Sequence, residues 1–211
     1  TAYRRQRQMC IRDRYPSEVD TSIRTGWFYH PEEDTDVRTA DELLDIYLDA
    51  VGANASLLLN IPPDTHGRIA APDCASLAEL GTKIQQIFAG NVTEKAKITA
   101  DSAIAQHPIT QAVDGMADTY WQAAYGQEFD TITLKFPKPQ KVSCVVLGEH
   151  LPTGQRIESG EIWADGSKTS EFTVVGHKRI CCFTPVDVQT LTIKITASRT
   201  EPTLRLLEVY Q

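Results

Sequence analysis

Between Glu18 and His30 the chain gathers side chains that do chemistry. The run EVDTSIRTGWFYH places Glu18, Asp20, Arg24, Trp27, Tyr29 and His30 in one short stretch. Glu18 and Asp20 share a face if the backbone there is extended. A carboxylate that is buried beside a second one acquires the raised pKa that general acid work requires. Arg24 offers a planar fork for a carboxylate or a diol, or a brace for another side chain. Trp27, after Gly26, offers a flat apolar face for stacking or for core packing. His30, ahead of Pro31, reads as structural. Asn60, Asp64 and His66 form a weaker second group.

Such residues need elements to hold them. Thr39–Val51 is the clearest helix. Thr39 and Glu42 make a capping box, Leu43, Ile46, Tyr47 and Val51 form one apolar face, and Gly52 is placed to end it. Ser56–Ile61 is short, apolar on both faces and stopped by Pro62-Pro63. It reads as a buried parallel strand covered on both sides, with Asn60 at its C-terminal end. Pro72–Phe88 is a second helix, striped by Leu77, Leu80, Ile84, Ile87 and Phe88. Polar and aromatic residues before a helix, then an apolar strand with a polar C-terminal end, fit the rim of a parallel α/β barrel. A whole barrel takes about 250 residues, so these pieces amount to about the last two of eight βα units.

After Asn91 the pattern changes. Short alternating runs follow at 131–136, 141–147, 161–164, 172–175, 179–183, 190–196 and 203–210. Pro137-Lys138-Pro139, Pro152-Thr153-Gly154, Asp165-Gly166 and Glu201-Pro202 separate them as turn signals. The expected fold class is therefore α/β followed by all-β: the last βα units of a barrel, then an antiparallel β-sandwich. The boundary is placed near residues 90–95.

The chain has 211 residues and a net charge of −7. That balance argues against a nucleic-acid partner, which needs a basic face. No run approaches the roughly 18–20 apolar residues of a membrane span. The five cysteines, Cys10, Cys74, Cys144, Cys181 and Cys182, lack zinc-type spacing. They read as reduced, partly buried thiols, with a bridge from Cys144 to Cys181 or Cys182 left open. Adjacent Cys181 and Cys182 point to opposite strand faces and are poor partners for each other. Residues 1–14 are arginine-rich and without period. They resemble a translated sequencing-adapter junction more than a native basic tail, and are set aside as non-native.

EVDTSIRTGWFYHPEED, ELLDIYLDAVGANA and SLLLNIPPDTHGRI, in that order, resemble the C-terminal part of the catalytic barrel of family 29 α-L-fucosidases. The resemblance covers residues 15–90. It implies a retaining glycoside hydrolase that releases terminal α-linked L-fucose from glycans without an organic cofactor. Retaining enzymes hold two carboxylates about 5–5.5 Å apart across the scissile bond. The family's nucleophile is an aspartate on an earlier barrel strand, and no residue here matches its motif. This chain is therefore expected to be a fragment, inactive alone. In some branches a glutamate nine residues before the tryptophan is the general acid/base, and Glu18 stands at that distance from Trp27; in others the role belongs to a more upstream glutamate, which would leave Glu18 to hydrogen-bond sugar hydroxyls. Asp20, Arg24 and Trp27 are the implied substrate contacts.

DGMADTYW, GEHLPTGQRIESGEIWADG, GHKRICCF and PTLRLLEVY resemble a discoidin (factor 5/8 C-type) domain, a jelly roll related to family 32 carbohydrate-binding modules. This resemblance covers residues 93–211. It implies a structural calcium ion at Asp114, Asp118, Thr119 and Glu208, or the same tight turn without metal. It makes Trp121 a core residue. Tyr120, Tyr125, His150 and Arg156 are candidates for a sugar-binding loop end, with a sandwich that only braces the catalytic domain as the equal alternative. The implied partner is a fucosylated glycan, in a secreted, periplasmic or cell-surface setting. A non-catalytic glycan-binding or adhesion module is the alternative.

Overall fold

The computed structural model describes residues 17–211. The segment 1–14, set aside above, lies outside the described residues. The chain divides into two compact units, Thr1–Gln86 and Ile87–Gln211. The described residues are mostly β-sheet, with two α-helices.

Among the described residues the first unit holds strand β1, Ser17–Ser22, followed by helix α1, Ala40–Ala50, strand β2, Ala55–Asn60, and helix α2, Ala71–Ile87. β1 and β2 pair in parallel, from Ser17 opposite Ala55 to Ser22 opposite Asn60. Parallel neighbours require a long crossover, and α1 supplies it. The capping box forms as expected. Glu42 N–H donates to Thr39 Oγ1 at 3.3 Å, and Thr39 N–H donates to Glu42 Oε2 at 2.8 Å. Ile23, Ala40, Leu43 and Leu80 form a small core, with Leu59, Leu77 and Ile84 packed against it.

Leu59 faces that core, whereas its neighbour Leu58 is 52% exposed. The expectation that β2 is covered on both faces is thus corrected. Alternation turns Leu57 and Leu59 one way and Ser56 and Leu58 the other. Among the described residues of this unit, nothing covers the second face.

The second unit holds β3 (Lys97–Ala100), β4 (Trp121–Gln122), β5 (Asp130–Gly148), β6 (Ile157–Ala164), β7 (Ser167–Phe172), β8 (Arg179–Ser198), β9 (Thr203–Leu204) and β10 (Leu206–Tyr210). A six-stranded antiparallel sheet runs β10-β5-β8-β6-β7, with β3 also on β5; β4 and β9 form a separate pair. β6 and β7 are joined by Asp165-Gly166, both at positive φ (44° and 85°), the conformation of a type I′ hairpin turn. One apolar core unites the sheets. It includes Trp121, Ile132, Leu134, Val145, Leu147, Ile162, Cys181, Leu191, Ile193 and Leu204.

One expected break is absent. Pro137-Lys138-Pro139 does not end a strand; β5 runs through it. Lys135 pairs with Thr190 and Gln140 with Val188, so five steps on β5 face two on β8. The prolines lie in the unpaired surplus, where no ladder donor is needed. Pro185 occupies a similar slip in β8, between Cys182 and Val186.

Candidate functional site

β1 carries Glu18 and Asp20 on its exposed face, the face that also bears Leu58 of β2. Both carboxylates are open to solvent. They are neighbours on one strand, so they do not by themselves flank a bond from opposite sides.

Beyond β1 the chain turns at Ser22 and enters the loop Gly26–His30. Three side chains grip that loop by its backbone. Ser22 Oγ donates to the Gly26 carbonyl at 2.7 Å. Asn60 Nδ2 donates to Ser22 Oγ at 3.1 Å and to the Trp27 carbonyl at 3.1 Å. Arg24 Nη1 donates to the His30 carbonyl at 3.3 Å. The backbone is fixed while side chains are left outward: Trp27 is 51% and Phe28 77% exposed. Trp27 is thus available for stacking rather than consumed by the core. His30 is exposed and precedes a 3-10 turn at Pro31–Glu33, which its side chain does not cap.

Arg24 does not reach solvent. Its side chain is fully buried, with Nε donating to Asp73 Oδ2 at 3.1 Å and Nη2 to Asp34 Oδ1 at 2.8 Å. Nη2 also lies 3.1 Å from Asp73 Oδ1, an ion-pair contact without hydrogen-bond alignment. The guanidinium stacks over Tyr29 at 4.8 Å. Burial opposes its charge, but the hydrogen bonds to Asp73 and Asp34 prevail and raise its pKa. The substrate-contact reading of Arg24 is therefore corrected in favour of the brace: its buried side chain is held by Asp73, Asp34 and the His30 carbonyl and presents no surface to a ligand. Asp73 and Asp34 escaped the sequence reading. The available signal for Asp73 was an aspartate inside the first turn of α2, although that position equally fits a helix-end charge.

Asp64 closes a local turn. Its Oδ1 accepts Arg68 N–H at 2.9 Å and His66 N–H at 2.8 Å, which hold its pKa below the usual range. Asn60, in contrast, organises the loop through its amide.

In the second unit, Asp114 lines a cleft of about 160 Å³ with Asn91, Glu94 and Glu208. Thr119 Oγ1 donates to Asp114 Oδ2 at 2.8 Å, and Met116 N–H to Oδ1 at 2.9 Å. Asp118 is exposed and does not line the cleft. Among the described residues, no three His, Cys, Asp or Glu side chains are grouped to hold a metal. The oxygens of Asp114, Thr119 and Glu208 suit calcium chemically, but an ion there must draw on carbonyls and water to complete its shell.

Trp121 is fully buried, its Nε1 donating to the Ser102 carbonyl at 3.0 Å. Tyr120 is stacked between His107 and His150, each ring centroid 3.9 Å away. Tyr125 is 76% exposed. Arg156 Nη1 donates to the Glu201 carbonyl at 2.7 Å. Glu149 is buried and accepts three backbone N–H groups: Arg156 at 2.7 Å, Ile157 at 2.9 Å and Gly176 at 2.7 Å. Burial pushes its pKa up against the pull of these donors.

Comparison with known proteins places the first unit. The family described as Alpha-L-fucosidase matches residues 3–86. This stretch is similar to the alpha-L-fucosidase family. Alpha-L-fucosidase 1 of Arabidopsis thaliana is 31% identical, across 94% of this chain and 41% of its own length. A GH29 fucosidase of Ruminococcus gnavus, solved in complex with fucose, superposes with a TM-score of 0.84 at 26% identity, over 93% of this chain and 41% of that one. A glycoside hydrolase 29 family member from an unknown rumen bacterium gives 0.72 at 28% identity, over 92% and 32%. The chain spans about two fifths of the length of the curated relatives it matches. Both units fall within these matches, so the fucosidases carry the β-rich unit too.

Proposed function

We propose that the chain supplies one wall of the reaction centre of a glycoside hydrolase that releases terminal α-linked L-fucose from glycans with retention. The observation that carries this is the open face of the parallel β1–β2 pair. It presents Glu18 and Asp20 beside a loop whose backbone is locked and whose Trp27 is exposed. In a (β/α)8 barrel the helices cover the outer face of the strands, and loops after the strands build the site. The first unit has that arrangement on a small scale, and we read it as βα units of such a barrel. The second unit we read as a jelly-roll, discoidin-like sandwich.

Within this reading Glu18 is the general acid/base. A partner carboxylate on another strand must stand about 5–5.5 Å away as nucleophile, since Asp20 shares Glu18's own strand. Asp20 contacts the sugar beyond fucose and Trp27 stacks on an apolar sugar face. Arg24 acts only through the loop. A calcium ion at Asp114, Thr119 and Glu208 would brace the second unit and take no part in the chemistry. No helix among the described residues is long and apolar enough to cross a membrane. Fucosylated polymers are met mainly outside the cytoplasm, and a secreted, periplasmic or cell-surface site follows from that substrate.

The test is hydrolysis of an aryl α-L-fucoside by the full-length gene product, followed by NMR of the first sugar anomer released. Retention of configuration is expected. Glu18→Gln should lower kcat at least about 100-fold, the scale of general acid–base catalysis. Wild-type turnover in Glu18→Gln removes Glu18 from the chemistry, and release of glucose or galactose in place of fucose removes the substrate assignment.

A further inference from the structure

Two thiols in the second unit lie where a covalent bond can join them. Cys144, in the second half of β5, and Cys182, near the start of β8, are direct partners in the antiparallel ladder. Their Sγ atoms are 3.1 Å apart, and both are free thiols. Directly opposed residues in such a ladder hold their Cβ atoms about 4.5–5.5 Å apart, and a disulfide requires about 3.5–4.5 Å. The ladder slips beside this pair, where four steps on β8 from Cys182 to Val186 face two on β5, and the surplus gives this end of β8 the freedom to close the difference.

The two cysteines differ in setting. Cys144 is buried and Cys182 is exposed. Strand alternation sends Cys181 to the opposite face, where it is 5% exposed and part of the apolar core. One pairing is therefore open to closure, and the exposed member is the one a solution reagent can reach. Its hydrogen bond with Cys144 holds the Cys182 thiol below the usual range, while the same contact pushes Cys144 above it. The thiolate is the nucleophile in exchange, and Cys182, the member open to solvent, is the side that attacks a dissolved oxidant.

We propose that Cys144 and Cys182 form a thiol-oxidation site, closed to an intrachain disulfide by a small disulfide oxidant of the glutathione type. The Cys182 thiolate attacks one sulfur of the oxidant and expels the other half as a thiolate, leaving a mixed disulfide on Cys182. Cys144 then gives up its proton and attacks Cys182 Sγ, expelling the second half. Two protein thiols are oxidised, one small disulfide is reduced to two thiols, and both protons end on those products. The new bond ties β5 to β8, the two long strands that hold the sheet together. In an oxidising compartment it persists, and in a reducing one it opens.

The test equilibrates the 211-residue chain with oxidised glutathione, then reads intact mass, a non-reducing peptide map and the Tm. Expected are a loss of two hydrogens within one chain and a link from the Cys144 peptide to the Cys181-Cys182 peptide. The Tm should rise by roughly 5 °C or more, reversed by dithiothreitol. Cys181→Ser should keep all three effects; Cys144→Ser and Cys182→Ser should lose them. If Cys144→Ser does not fold, Cys182→Ser, at an exposed position, carries the same comparison. An oxidised wild type with no internal link overturns the proposal. So does a link that survives in Cys182→Ser or vanishes in Cys181→Ser.

Discussion

Truncating Glu149 to alanine is expected to destabilise the β-rich unit by about 3–5 kcal/mol. The side chain is fully buried, and its carboxylate joins two separate segments by accepting N–H groups from Arg156, Ile157 and Gly176. Hydrogen bonds to a charged acceptor contribute roughly 1.5–3 kcal/mol each, which sets a ceiling of roughly 4.5–9 for three. Two effects lower it. Arg156 is only half-buried, so water can serve its N–H. Removing the carboxylate also recovers the cost of holding it away from solvent. Glu149→Gln keeps Oε1, which serves Arg156 and Ile157, but turns an NH2 toward Gly176 N–H. It should cost about 1.5–3 kcal/mol, less than alanine. Urea unfolding followed by Trp121 and Trp163 fluorescence reads the change. At a slope of about 1–3 kcal/mol per molar, the alanine midpoint should fall by about 1 M or more. An alanine variant within about 1 kcal/mol of wild type would refute the reasoning, as would a glutamine variant more damaging than alanine.

Asp73→Ala leaves the buried Arg24 guanidinium with Asp34 as its remaining carboxylate. It should cost the first unit about 3–5 kcal/mol, while Arg24→Met with Asp73→Leu should recover most of that. Denaturation followed at Trp27 decides, and a double variant as weak as the single one rejects the brace. Glu201 is held down to about 2 by the Gly126 N–H and by Thr200. A depressed carboxylate contributes stability that is present above its unfolded pKa and is lost as pH falls through about 2. Glu201→Gln should therefore flatten the acid side of the Tm–pH curve, and an unchanged acid slope counts against it. Millimolar calcium should raise the Tm of wild type and leave Asp114→Ala unmoved; equal curves with and without calcium in wild type dismiss the ion.

What the sequence disclosed and what it withheld divide along one physical line. Thr39 and Glu42 are three residues apart, so their capping box is a local fact and was legible. The same holds for Asp165-Gly166, for Gly52 after α1, and for the alternation that places Glu18 and Asp20 on one face. Leu58 could not be read correctly, because exposure depends on which elements stand beside a strand and a run of leucines does not encode them. Pro137 and Pro139 misled for a related reason. A proline ends a strand only where a ladder donor is needed, and whether one is needed depends on β8, some fifty residues on. Arg24 is the sharpest case. Free and paired arginines look alike in a motif, and the carboxylate that decides between them, Asp73, arrives 49 residues later. Glu149 did leave a trace: a carboxylate directly after the apolar run Val145–Gly148 is costly unless donors await it. A buried charge in an apolar run thus announces that partners exist without naming them. The most informative mutations are accordingly those at Arg24, Asp73 and Glu149, where one side chain depends on residues far along the chain.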